Sequence, residues 1–273
     1  MKRIAIIVAA MAAIGTPALA ADMAVKAPPA PLPEPVATWT GFYVGVNVGW
    51  DWQRVKTDYQ GIVPGDIFAS GIAAGALPAS LSQNANGVLG GATLGYNVQS
   101  GSFVYGIEGD VMGMNLSATN TITTSGILFF PTLTTATTTT TDWLATVRAR
   151  VGMLVMPRAL LYATGGAAIG HVKGSASITP SGTSTCANNF FCSVGSGSDT
   201  QVGWAAGAGA EYMLAAHWTV KIEYLHYDLG NFRYTINEAS TFPTFVPFAG
   251  TPNVGVNTKV SGDVVRAGVN LKF

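Results

Sequence analysis

Residues 41–52 read GFYVGVNVGWDW, and the way their side chains sort decides the fold. Phe42, Val44, Val46, Val48 and Trp50 form one set; Tyr43, Gly45, Asn47, Gly49 and Asp51 form the other. A β-strand, with a period of two, places these sets on opposite faces, whereas a helix of period about 3.6 would mix them around its axis. The segment is a strand with one apolar face.

The same division recurs along the chain. In 87–98 the apolar or small set is Val88, Gly90, Ala92, Leu94, Tyr96 and Val98. In 103–115 it is Phe103, Tyr105, Ile107, Gly109 and Val111, opposite Glu108 and Asp110. Segment 142–153 sets Trp143, Ala145, Val147, Ala149, Val151 and Met153 against Arg148 and Arg150. Segment 201–213 sets Val202, Trp204, Ala206, Ala208, Ala210 and Tyr212 against Glu211, and 217–228 sets Trp218, Val220, Ile222 and Tyr224 against Lys221 and Glu223. The closing VVRAGVNLKF, 264–273, alternates Val265, Ala267, Val269, Leu271 and Phe273 with Arg266, Gly268, Asn270 and Lys272. Segment 159–171 is a strand by context, but its glycines leave its facing open. Eight strands result.

Composition says which solvent the apolar faces meet. Charged residues make up 10% of the 273 residues, against about a quarter in soluble domains, and the mean hydropathy is +0.34. No uninterrupted apolar run reaches the about 18 residues of a spanning helix. Strands with alternate residues facing lipid reconcile these facts. The connections agree: those near Gln99–Ser102, Leu154–Arg158 and Leu214–Ala216 are short, and the others are long and polar. Short turns on one rim and long loops on the other are the plan of outer-membrane barrels. An even strand count then returns the C-terminus to the periplasmic side, where the N-terminus also lies.

The aromatics test this independently. Phe42, Tyr96, Phe103, Tyr105, Tyr212, Trp218 and Phe273 fall at expected periplasmic strand ends, and Trp50, Trp143, Trp204 and Tyr224 at outer ends. All belong to the apolar sets. The spacing from Phe42 to Trp50, at about 3.4 Å per residue and a tilt near 40°, covers roughly 21 Å of membrane normal. Two aromatic girdles bounding an apolar band about 25 Å tall have that spacing. The predicted fold is all-β, an eight-stranded antiparallel up-and-down transmembrane β-barrel over 39–273.

The N-terminus reads as a secretory signal: Lys2 and Arg3, the apolar IAIIVAAMAAIG, then Ala18-Leu19-Ala20, with cleavage after Ala20. Residues 21–38 are proline-rich and read as a periplasmic linker. Removal of Lys2 and Arg3 leaves 12 basic against 14 acidic residues, so no basic footprint for nucleic acid exists. Cys186 and Cys192, six positions apart in an exported chain, are expected to close a disulfide loop.

The inward sets carry Glu108, Asp110, Glu211 and Glu223 against Arg148, Arg150, Lys221 and Arg266. Opposite charges in a narrow barrel pair, because unpaired buried charge is costly. Eight strands leave room for side chains, whereas aqueous channels need about sixteen. The network is expected to plug the barrel; an ion pathway is the alternative. No catalytic site is expected. His171, His217 and His226 define no Ser/His/acid set, and no HExxH, GxSxG or phosphate-binding loop is present. No metal site is expected either. The run TLTTATTTTT, 132–141, favours a ribbon extending beyond the membrane. The long loops suit contacts with host molecules, phage or haem, but no partner can be read from them.

WTGFYVGVNVGW, GGATLGYN, YGIEGD, WLATVRARVG, LLYATGGAAIGH, AGAGAEYML with WTVKIEYLHYDLG, and VRAGVNLKF together resemble the outer-membrane surface-antigen (immunogenic) proteins of alphaproteobacteria. These are opacity/OmpA-type, porin-like eight-stranded barrels, and the resemblance covers Trp39–Phe273 in order. It implies a non-enzymatic envelope protein of the cell outer membrane that stabilises the lipid bilayer and displays surface loops. Haemin binding and porin activity are reported for some relatives, so haemin is a cofactor by analogy only. The separate peptidoglycan-binding domain of full-length OmpA-type proteins is not expected. The terminal Phe273 resembles the signal recognised by barrel-assembly machinery.

Overall fold

The computed structural model describes residues 38–61, 67–125, 132–180, 192–238 and 253–273. The expected signal peptide and nearly all of the linker lie outside them. Eight strands form: β1 (Gly41–Gly61), β2 (Ser80–Ser100), β3 (Phe103–Ser125), β4 (Thr132–Met156), β5 (Ala159–Pro180), β6 (Ser193–Ala215), β7 (Trp218–Glu238) and β8 (Asn253–Lys272). A short helix, α1 (Ile67–Ala73), sits between β1 and β2. Each strand pairs antiparallel with its neighbours in sequence, and β8 pairs with β1 to close the barrel. The seam runs from Tyr43 opposite Lys272 to Gly61 opposite Val254. At its end the Phe273 N–H donates to the Phe42 carbonyl at 2.9 Å. Closure leaves no free sheet edge.

At one rim β2–β3, β4–β5 and β6–β7 are joined by tight turns; at Gly101 the backbone takes φ +60, a left-handed conformation that suits glycine. At the other rim the strands run much further than the alternating segments suggested. β1 has 21 residues and β4 has 25; at about 3.4 Å per residue and a tilt near 40°, β1 alone rises roughly 55 Å, twice the apolar band. Most described residues of the stretches read as loops are therefore strand. The threonine run of β4 pairs with β3, Thr141 facing Leu116 and Thr132 facing Ser125.

The alternation does not stop beyond the outer aromatics; it reverses. Between the aromatic ends the outward side chains are apolar and the inward ones polar. Beyond them the inward set gains Val55, Leu81, Ala85, Leu116, Ala118, Phe232, Val254 and Val256, buried beside inward Thr57, Gln83, Thr258 and the β4 threonines Thr135, Thr137, Thr139 and Thr141, and the outward set turns to Ser, Thr, Asn and charged residues. On β1 the change falls after Trp52, on β8 at Asp263 and on β7 at His226. These three residues are cross-strand partners in one row, Trp52 opposite Asp263 and Asp263 opposite His226. A lipid-facing barrel below that row continues as a water-facing barrel above it.

Two irregularities shift the phase. Register with β5 slips between Thr141 and Trp143 on β4, so inward positions pass from Thr139 and Thr141 to Leu144 and Thr146. On β7 it slips between Asp228 and Asn231, at Gly230 with φ +74. Leu229 and Phe232 consequently both point inward. The open question of β5 is resolved: Leu160, Tyr162, Thr164, Ala168 and Val172 are buried, and Leu161 is outward.

Candidate functional site: the filled barrel interior

At the turn rim Trp39, 1% exposed, folds into the barrel mouth against Val104, Leu160, Tyr162 and Met213. Its N–H donates to Gln99 Oε1 at 2.9 Å, and its indole N–H reaches the Pro157 carbonyl at 3.4 Å. This apolar cap blocks the mouth.

Above it all the predicted interior charges meet. Arg148 donates to Glu108 at 2.8 Å, Asp110 at 2.6 Å and Glu223 at 3.0 Å. Arg266 donates to Glu223 at 2.6 Å and Asp110 at 3.0 Å. Lys221 reaches Glu108 at 2.8 Å, and Arg150 reaches Glu211 at 2.7 Å. On the adjacent β3 and β4, Asp110 pairs with Arg148 and also reaches Arg266, while Arg150 turns down to Glu211. Four acids and four bases balance, and each is buried. Removing one partner from such a network costs about 3–5 kcal/mol, because the other charge stays buried.

Sequence reasoning missed several members of this layer. The Tyr43 hydroxyl donates to Glu108 at 2.7 Å and accepts from Arg150 at 3.0 Å. The Arg150 guanidinium lies 4.0 Å from the Tyr162 ring centroid. Asn270 and Thr219 donate to Glu211. The available signal was their inward parity on each strand. For Tyr43 and Tyr162 aromatic character hid it, since aromatic residues were expected outside; Thr219 and Asn270 carry no charge to mark them.

Next toward the loop rim, Tyr227 donates to Asp51 at 2.7 Å, and Gln53 donates to Thr141 at 2.8 Å. Leu89, Met112, Leu144 and Leu225 pack around this level, and above it a mainly apolar core rises to Phe232, Ile236 and Val254, with Thr57, Gln83, Thr137, Thr139 and Thr258 buried among it. Gly197 lies beside it so closely that an added Cβ would meet the Tyr234 Cβ at 2.8 Å. The bulge at Gly230 is braced from outside. Burial opposes ionisation of Asp228, but Lys259 at 2.9 Å and the Gly230 N–H outweigh it and hold the carboxyl below its usual range.

The predicted girdle residues all lie outward. Phe42, Trp50, Phe103, Tyr105, Trp204, Tyr212, Trp218, Tyr224 and Phe273 are exposed, and Tyr96 and Trp143 are half-buried. Phe42 and Tyr96 pair across β1 and β2 with ring centroids 4.6 Å apart. The histidines are separated. His217 Nδ1 donates to the Lys272 carbonyl at 2.9 Å at the turn rim. His171 lies 3.5 Å from Thr200 Oγ1. His226 lies 2.8 Å from Asp263, and its ring is tilted against that of Trp204 with centroids 5.4 Å apart, on the outer wall. That pair also holds the Tyr224 hydroxyl, and among the described residues no Ser or Thr hydroxyl bonds to its ring. Cys192 is buried at the foot of β6; Cys186 lies outside the described residues.

A family profile described as outer membrane protein beta-barrel domain matches residues 6–273. The 31 kDa outer-membrane immunogenic protein of Brucella melitensis is 33% identical over 272 residues, covering 98% of this chain and 99% of its own length. The 25 kDa outer-membrane immunogenic protein of Brucella abortus is 27% identical, covering 100% and 99%. Among solved structures, the outer membrane protein OprG of Pseudomonas aeruginosa aligns with a TM-score of 0.48 and 13% identity, over 86% of this chain and 96% of that one. That last likeness is too distant to bear on function.

Proposed function

The chain belongs to the outer-membrane β-barrel family of immunogenic proteins, and from that premise we propose a closed barrel that stabilises the envelope and displays a tall polar sheet at the cell surface. The turn rim faces the periplasm and the long-strand rim faces outward, as in barrels built with short periplasmic turns. The observation that carries this reading is obstruction in series: the Trp39 cap, the neutral charge network, and the apolar core each fill the barrel. An ion crossing would have to displace paired buried charge and then pass a mainly apolar interior. Among the exposed residues, the outward Thr, Ser and Asn of the upper strands offer the surface that other molecules meet.

A second reading, a narrow channel, draws support from polar capacity left beside the network. Asn47 Oδ1, Asn97 Oδ1 and Asn270 Oδ1 accept no hydrogen bond from protein groups. Planar-bilayer recording of purified, refolded protein decides between them. A silent bilayer agrees with the closed barrel; large, stable conductance steps overturn it. Haemin or host contacts through the loop tips would use segments outside the described residues and form no part of this proposal.

A further inference from the structure

On the wall formed by β7, β8 and β1, the outward face just beyond the Trp52–Asp263–His226 row is rich in basic side chains. Arg54 stands one outward position past Trp52 and Lys56 two. Lys259 lies directly opposite Lys56 in the β1–β8 ladder. Arg233 is exposed on β7 in the next row, linked through Asn257 to Asp58. At about 3.4 Å per residue and a tilt near 40°, Arg54 and Lys56 stand about 5 and 10 Å above Trp52. That is headgroup depth, with the exposed ring of Trp52 at the boundary and that of Trp50 toward the acyl chains beneath.

Two ammonium groups directly opposite on neighbouring strands repel each other, and among the described ion pairs no carboxylate bridges the two. The nearby carboxylates hold the cations from the side: Lys56 to Asp58 at 3.4 Å, Lys259 to Asp228 at 2.9 Å and Arg54 to Asp263 at 3.6 Å. The basic side chains remain 60%, 52% and 71% exposed, respectively, so these pairs contribute little on their own. Asp263 already receives the Tyr224 hydroxyl and His226, which leaves Arg54 loosely held. Four cations against three carboxylates leave a positive surplus that points away from the barrel.

We propose that this wall binds the phosphate of an outer-leaflet lipid headgroup, with Lys56 and Lys259 straddling the phosphate and Arg54 below it. The assignment of this face to the outer leaflet rests on the orientation given above. The site ties the barrel laterally to its lipid and is separate from whatever the loop tips contact.

The test uses detergent-refolded protein titrated with diphosphoryl lipid A, with lipid A stripped of its phosphates, and with inorganic phosphate. Bound lipid is counted by native mass spectrometry, and heat-dependent gel mobility verifies that each variant is folded. Preference for the phosphorylated lipid is expected. Replacing Lys56 and Lys259 by alanine should weaken it about 25-fold, at about fivefold per basic side chain near an anionic headgroup. The arginine pair K56R/K259R should retain it. K173A, which removes a single β5 cation held by Asp142 of β4, should leave it unchanged. Equal binding of the stripped lipid, an equal loss in K173A, or inorganic phosphate binding as tightly as the lipid would each overturn the proposal. Micelles impose no membrane sidedness and report no conductance, so failure here is distinguishable from failure of the closed-barrel reading.

Discussion

Glu108 is the junction of the interior network, and its neutralisation is the most direct trial of the plug. The carboxylate receives the Tyr43 hydroxyl at 2.7 Å, Arg148 at 2.8 Å and Lys221 at 2.8 Å, with Arg150 at 3.6 Å and Arg266 at 3.4 Å. Arg148 and Arg266 keep Asp110 and Glu223 when Glu108 is lost, and Arg150 keeps Glu211. Among the described ion pairs Lys221 has no other acid. Glu108→Gln therefore strands one buried ammonium and is expected to cost about 3–5 kcal/mol. The double variant Glu108→Gln/Lys221→Met removes both charges while keeping similar volume, and should recover most of that loss, giving a coupling of about 2 kcal/mol or more. Urea titration of barrels refolded into lipid vesicles, followed by tryptophan fluorescence and heat-dependent gel mobility, measures both. A cost below about 1 kcal/mol for the single variant, or no recovery in the double, would mean that water reaches Lys221. The plug would then be wrong.

Leu81 and Ser82 are neighbours on β2 that face opposite media, the first buried in the upper core and the second exposed. Leu81→Asn should cost about 3 kcal/mol through lost burial and an unsatisfied amide, and Ser82→Asn should stay within about 0.5 kcal/mol. Urea titrations that give two small values would return this region to a loop. Deleting Phe273 should lower the amount of folded barrel assembled in the outer membrane of expressing cells while refolding in detergent stays near normal, because the side chain is 69% exposed and the seam persists from Tyr43 to Gly61. Unchanged assembly in cells would remove the residue from that role.

What could be read from the sequence was set by contrast between the two faces of each strand. Between the aromatic ends lipid lies outside and a polar network inside, so Val44 against Asn47, or Val147 against Arg148, leaves no doubt about facing. On β5 that contrast vanishes, because Ala163, Gly165, Gly166 and Ala167 are small on both faces; only packing of Leu160 and Tyr162 into the barrel sets the phase. The interior acids and bases were legible because charge has one place to go in a lipid-bound barrel. Trp39, Tyr43 and Tyr162 were not, since a ring can serve a girdle outside or a cap inside, and parity alone distinguishes them.

The upper barrel was hidden for a different reason. Its period is the same two, but the meaning of each phase reverses, and the bulges at Asp142 and Gly230 then move the phase by one. A window spanning either change averages to no signal, and a polar stretch without periodicity reads as loop. Strand pairing restores what the averaging removed. On β1 the last apolar outward residue is Trp52 and the first charged one Arg54; on β8 the outward face turns polar at Asp263; on β7 it does so at His226. Three strands of unrelated sequence make the change in a single cross-strand row. Independent strands would agree on that row only if one external boundary acts on them all, and for a barrel of this family that boundary is a face of the outer membrane.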